Sequence, residues 1–104
     1  MKVYIAGPYT KGDVAQNVRD AINAGEEVLM RGDFPFIPHM THFWHMIYQH
    51  SWNYWMDYDL EWLKTCDAVV RLPGESAGAD IEVKAALKLG LKVYNGVEEY
   101  KRER

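Results

Sequence analysis

The sequence predicts a small α/β domain: a doubly wound parallel sheet of four or five strands, flavodoxin- or Rossmann-like, with helices on both faces. Three observations carry that expectation. Short apolar runs alternate with longer segments of helical periodicity. Each run is too apolar to leave one face in water, as in strands covered on both sides. The first and third runs stop abruptly at Gly7-Pro8 and Pro73-Gly74, and right-handed crossovers then wind the helices onto both faces.

Val3-Tyr4-Ile5-Ala6 is the first strand, buried, with its loop beginning at Gly7-Pro8. Asp13 can cap a helix with apolar positions at Val14, Val18, Ala21, Ile22 and Val28-Leu29, which stops at Gly32. Phe34-Pro35-Phe36-Ile37-Pro38 predicts a second strand, short or near a sheet end because of its prolines. Residues 39 to 65 predict an aromatic helical stretch, with Trp55, Tyr58 and Trp62 at spacings of 3 and 4. Asp67-Ala68-Val69-Val70-Arg71-Leu72 gives the third strand. The small residues Ser76-Ala77-Gly78-Ala79-Asp80 then turn into a helix from about Asp80 to Leu89. Gly90 ends it before a fourth strand at Lys92-Val93-Tyr94, and the mixed charges of Glu98 to Arg104 suit an exposed terminal helix.

The 104 residues, 48% hydrophobic and 26% charged, are expected to form one domain over 1–104 around a single core. Ten of the fourteen Phe, Trp and Tyr residues and all four histidines fall between Phe34 and Trp62. No Lys or Arg lies between Arg31 and Lys64, so this is not the basic, aromatic-interleaved groove of a nucleic-acid binder. A net charge of −3 gives no electrostatic reason to expect a membrane or polyanion partner. Met1 leads directly into a strand pattern without a signal-peptide run, and no apolar stretch approaches the roughly 18 residues of a spanning helix. The lone Cys66 forms no internal disulfide, which fits a reducing cytoplasm, and a small buried hydrophobe is its expected role.

In such sheets ligands bind beyond the carboxyl ends of the strands. Three segments project there: Gly7-Pro8-Tyr9-Thr10, the loop after Pro38, and Gly74 to Asp80. The last aims free backbone N–H groups at an anion, and Ser76 adds a hydroxyl. Plain turn chemistry accounts equally for Gly74 and Gly78. The chain lacks the Gly-Lys-Ser/Thr of a P-loop, and Gly7-Pro8-Tyr9 is not the dinucleotide fingerprint.

Glu82 falls in the first turn of the predicted helix, where the dipole favours its ionised form by about 0.3–1 kcal/mol. That suits a nucleophile or base, while a glutamate that only helps the helix start is the plainer alternative. Asp57, Asp59 and Glu61 form an acidic cluster on the aromatic segment. A carboxyl set among Trp55, Tyr58 and Trp62 loses solvation and rises in pKa, which would make it a proton donor beside an ionised Glu82. Two carboxyls in different environments is the logic of glycosidic-bond cleavage. The alternative is a solvated helix face, the expectation for Glu61. His39, His42 and His45 recur every three residues, a fan of about 120° on a helix rather than a tight metal site. No metal or cofactor is expected.

Tyr4-Ile5-Ala6-Gly7-Pro8-Tyr9, Asp59-Leu60-Glu61-Trp62-Leu63 with Cys66-Asp67-Ala68-Val69-Val70, and Ser76-Ala77-Gly78-Ala79-Asp80-Ile81-Glu82 carry a resemblance. Together they resemble the nucleoside 2-deoxyribosyltransferase superfamily, which includes the 2'-deoxynucleoside 5'-phosphate N-hydrolases. The likeness runs from Tyr4 to about Tyr94 and is strongest to small phage and bacterial members. It implies an enzyme that cleaves the N-glycosidic bond of a (deoxy)nucleoside 5'-monophosphate or nucleoside, by hydrolysis or base transfer. Glu82 would be the nucleophile that forms a glycosyl ester, Asp59 the carboxyl that helps the base leave, and Tyr4 the residue that orients Glu82. Ser76 would contact the 5'-phosphate, and Gly7, Pro8, Tyr9 and Gly78 would lie close to the ligand. Apart from the resemblance, a histidine of the triplet is expected to contact the nucleobase or pack among Phe43, Trp44 and Tyr48, and His39 is taken as substrate-binding. The resemblance also implies a homodimer or higher homo-oligomer whose neighbouring subunit completes the site. One departure stands out: the N-hydrolases hold phosphate with an arginine after the first strand, where this chain has Pro8-Tyr9-Thr10-Lys11, leaving Lys11 or Arg19 to substitute.

Two other readings compete with the enzyme. One is a nucleotide-binding module that keeps the pocket without turnover. The other is a structural domain whose aromatic segment is mainly dimer interface.

Overall fold

The computed structural model describes residues 1–104. Strand β1 (Lys2–Ala6) lies between β2 (Phe34–Phe36) and β3 (Ala68–Arg71), and β4 (Lys92–Asn95) forms the far edge. Every pairing is parallel, so the sheet runs β2-β1-β3-β4 with its switch point between β1 and β3. The expected doubly wound α/β architecture is the one observed, with four strands.

Register explains how one short strand serves two cores. Val3 pairs with Ala68, Tyr4 with Val69 and Ile5 with Val70. Because side chains alternate, Val3, Ile5, Ala68 and Val70 share one face, while Tyr4, Ala6 and Val69 share the other. A one-residue slip would exchange the two sets. Helices α1 (Val14–Met30) and α5 (Val97–Glu103) cover the first face through Ala21, Ala24, Val28 and Tyr100. Helices α3 (Trp52–Leu63) and α4 (Ala77–Lys88) cover the second through Leu63, Ala79 and Ala86. Cys66 is buried there, as expected, and its thiol is pushed up by burial.

Asp13 caps α1 by accepting from the Gln16 N–H. The buried stripe of α1, however, is Ala21, Ala24, Gly25 and Val28. Ile22 and Leu29 face outward, because the small residues let the helix sit close to the sheet.

The stretch from 39 to 65 is not one helix. It divides into a 3₁₀ turn at Pro38–Thr41, helix α2 (His42–Ile47), an extended break, and α3. Tyr48 adopts φ −125° and ψ 100°, and Ser51 starts a new helix by accepting from the Tyr54 N–H. The helix expected from about Asp80 begins at Ala77, because Ser76 accepts from the Ala79 N–H as its N-cap. Glu82 therefore belongs to the second turn. The tail is also less exposed than its charges imply: Tyr100 is fully buried and donates to Asp33 at 2.6 Å. No helix is long and apolar enough to cross a membrane.

Candidate active site

The carboxyl ends of β1 and β3 open into a cavity of about 420 Å³, within the roughly 300–1,000 Å³ usual for small-molecule sites. Gly7, Tyr9 and Lys11 line it from the loop after β1. Ser76, Gly78 and Glu82 line it from α4, and His45, Trp55 and Asp59 from the aromatic segment. This is the switch point of the sheet, where the two central strands send their loops apart.

Glu82 is 6% exposed, and the hydroxyl of the fully buried Tyr4 donates to its Oε2. Burial pushes the Glu82 carboxyl up to about 8; the Tyr4 hydrogen bond and the Arg71 guanidinium oppose the rise, and the Asp59 charge adds to it. Burial thus acts against the dipole argument for an ionised Glu82, since desolvation outweighs a second-turn dipole effect. Burial and the charge of Glu82 in turn hold the Tyr4 hydroxyl well above its usual value, so Tyr4 stays a donor.

Asp59 reaches the same cavity from α3, and burial alone pushes it up to about 7. Its Oδ1 is buried without a hydrogen-bond partner. Two carboxyls that feel each other's charge titrate as a pair. Both are pushed toward the protonated form, Glu82 further than Asp59.

The α4 terminus presents donors. With Ser76 capping Ala79, the N–H groups of Ala77 and Gly78 have no partner in the chain. A Cβ at Gly78 would sit 3.2 Å from Met56 Cε and 3.8 Å from Trp52, so glycine there keeps the α3 wall close. Gly74, at φ +112°, is turn chemistry in the left-handed region. Arg71 holds this loop, donating to the carbonyls of Leu72 and Gly74 and to Asp80.

Residues 1–95 match the model of a family described as "Domain of unknown function (DUF7768)". The chain belongs to this family. No curated protein matches its sequence. Among solved structures, it is similar to one from the characterisation of a 2-deoxyribosyltransferase of the psychrotolerant bacterium Bacillus psychrosaccharolyticus. The TM-score is 0.68 at 19% identity, over 89% of this chain and 69% of that one. At that identity the likeness concerns the fold.

Of the positions singled out in sequence, this DUF7768 chain brings Gly7, Tyr9, His39, Asp59, Ser76, Gly78 and Glu82 to the cavity wall. Tyr4 stands behind Glu82. Pro8 is not among the cavity-lining residues; its ring lies against Gly74, and its carbonyl accepts from His39 Nε2 at 2.8 Å. His39 is buried, which lowers its pKa, and its Nδ1 is unpaired. The three spaced histidines go to separate partners, His42 to the Tyr9 hydroxyl and His45 to Trp55 and His50. No group of three His, Cys, Asp or Glu side chains is placed to hold a metal ion. Lys11 lies at the cavity mouth, 3.3 Å from Glu75, while Arg19 is exposed on α1 and does not line the cavity. His45, His50, Trp52 and Met56 also line the cavity, without a sequence motif that marks them as site residues. The break at 48–51 that folds α3 back over the cavity carries no strong turn signal beyond Ser51.

Proposed function

We propose that this DUF7768 protein cleaves the N-glycosidic bond of a 2'-deoxynucleoside or its 5'-monophosphate through a glycosyl ester on Glu82. The observation that carries this reading is the pair of carboxyls facing one cavity, Glu82 buried and held by a tyrosine hydroxyl, Asp59 half-buried with its buried Oδ1 without a partner. In the reactive arrangement Asp59 carries a proton and Glu82 is ionised. A Glu82 oxygen attacks the anomeric carbon, the bond to the base nitrogen breaks, and Asp59 gives its proton to the departing base. Asp59, now a carboxylate, takes a proton from water as that water displaces Glu82; an incoming base in place of water gives transfer. Burial strengthens each interaction and excludes stray water. The free N–H groups of Ala77 and Gly78, with the Ser76 hydroxyl, suit a 5'-phosphate, and the fold likeness supports the same chemistry.

Incubation with ribo- and deoxynucleosides and their 5'-monophosphates, with detection of free base, tests this. Release from deoxy substrates is expected, and no release from any of them would sink it. A second reading, nucleotide binding without turnover, is favoured by the burial of Glu82, which pushes its carboxyl up to about 8 and away from the ionised form a nucleophile needs. Tight monophosphate binding with no base release over long incubation would decide for it.

A further inference from the structure

The aromatic wall of the cavity is fastened through one ring nitrogen. His45, on α2, accepts two hydrogen bonds at Nδ1: from the Trp55 indole N–H at 2.8 Å and from the His50 backbone N–H at 3.3 Å. A nitrogen that accepts from two N–H groups carries no proton, so neutral His45 holds its hydrogen on Nε2. Nε2 has no partner in the chain. It is also not among the buried unpaired polar atoms, which are His39 Nδ1 and Asp59 Oδ1. The Nε2–H is therefore open to the space beside it, and His45 lines the cavity together with Trp55 and His50.

The ring is not free to turn. Trp55 is boxed by the rings of Trp44, His50, Tyr54 and Tyr58, at centroid separations of 5.2 to 5.8 Å. Its indole thus fixes Nδ1, and the position of Nε2 follows. Met56, on the same wall, offers only apolar surface.

We propose that His45 determines specificity by donating from Nε2–H to an acceptor on the heterocyclic base of the bound ligand, a carbonyl oxygen or an unprotonated ring nitrogen. The proposal rests on the nucleoside reading of the cavity. A base that presents an N–H at the same point sets donor against donor and is rejected, since both groups lose water without gaining a partner.

Two substitutions separate this role from a merely structural one. His45→Asn keeps an acceptor near the place of Nδ1 but removes the Nε2–H. His45→Gln keeps a donor near Nε2 and loses the link to Trp55. Calorimetric titrations use the four common 2'-deoxynucleoside 5'-monophosphates, with 2-deoxyribose 5-phosphate as the probe without a base. The asparagine variant is expected to match the wild type in melting temperature and tryptophan emission. It should bind its preferred monophosphates about tenfold more weakly, with the sugar phosphate unchanged. The glutamine variant should shift the emission and recover part of the affinity for base-bearing ligands.

The proposal is overturned if the asparagine variant binds every probe like the wild type, or loses the sugar phosphate as strongly as the monophosphates. Long-range proton–nitrogen spectra of the wild type that place the proton on Nδ1 would also overturn it. Failure of the wild type to bind any probe overturns the nucleoside reading itself, and this proposal with it.

Discussion

Two buried carboxyls lie on opposite sides of the same sheet, each with a tyrosine hydroxyl donating to it, and they behave in opposite ways. Asp33, on the α1–α5 side, also receives the Met1 ammonium at 2.7 Å and the Arg104 guanidinium at 2.7 and 3.1 Å. The Arg104 hydrogen bonds, joined by those from Met1 and Tyr100, hold it well below the usual carboxylate range. Glu82 has only Tyr4 as a hydrogen-bond partner, and burial drives it up to about 8. The difference is cations in contact. Asp33 is fastened as an ion and closes the fold, whereas Glu82 is kept where its ionised form is costly. A buried carboxyl left short of partners beside a cavity is a candidate for chemistry rather than for stability.

The largest effect expected is on Glu82→Gln, which should lower base release roughly a thousandfold or more. It should also separate activity from stability. The folded carboxyl titrates near 8 against an unfolded 4.5, so the folded chain binds more protons between those values. Stability then falls as pH rises through that window, by up to about 1.4 kcal/mol per unit. Glutamine does not titrate, so the variant should melt like the wild type near pH ~5 and above it near pH ~8.5.

Asp59→Asn and Tyr4→Phe should move the pH–rate profile in opposite directions. The wild-type profile is expected to be a bell, since the pair must hold one proton. Removing the Asp59 charge lowers the Glu82 pKa and carries the acid limb down, with turnover reduced about 10²-fold by loss of the proton donor. Removing the Tyr4 donor raises Glu82 and carries the acid limb up, reducing release by roughly tenfold at neutral pH. Limbs that stay in place in both variants would break the link between these groups and Glu82.

Asp33→Asn should leave base release intact and cost about 3 kcal/mol of stability at neutral pH, read from denaturant midpoints. Its pH dependence runs opposite to that of Glu82. A depressed carboxyl contributes fully above its unfolded value of about 3.9 and loses that contribution as pH falls through the folded value, so the gap to wild type should close in acid. Smallest of all, Ser76→Ala removes an N-cap and should cost about 1 kcal/mol. If Ser76 also donates to phosphate, monophosphates should bind more weakly and nucleosides as before; equal losses would leave it a cap alone.

The contrast between the two carboxyls also marks what was legible in the sequence. The apolar runs at Val3, Val69 and Val93 announce a covered parallel sheet, because burial on both faces leaves a continuous pattern. Glu82 and Asp59 stand out as carboxyls in small or aromatic surroundings. The start of α4 is masked in the sequence because Ala77, Gly78 and Ala79 look like turn residues, while the Ser76 hydroxyl makes them the first helical turn. Asp33 carried no local signal at all: its partners Tyr100 and Arg104 lie 67 and 71 residues away and meet it only once α5 has packed. His45 was hidden in a regular triplet whose members take unrelated partners in three dimensions.

Base release by the wild type and by Glu82→Gln, measured side by side on 2'-deoxynucleosides and their 5'-monophosphates near neutral pH, tests the role of Glu82 most directly. With both proteins folded by circular dichroism, release from the wild type and none from the variant is the predicted result. Equal release from the two would contradict a covalent role for Glu82.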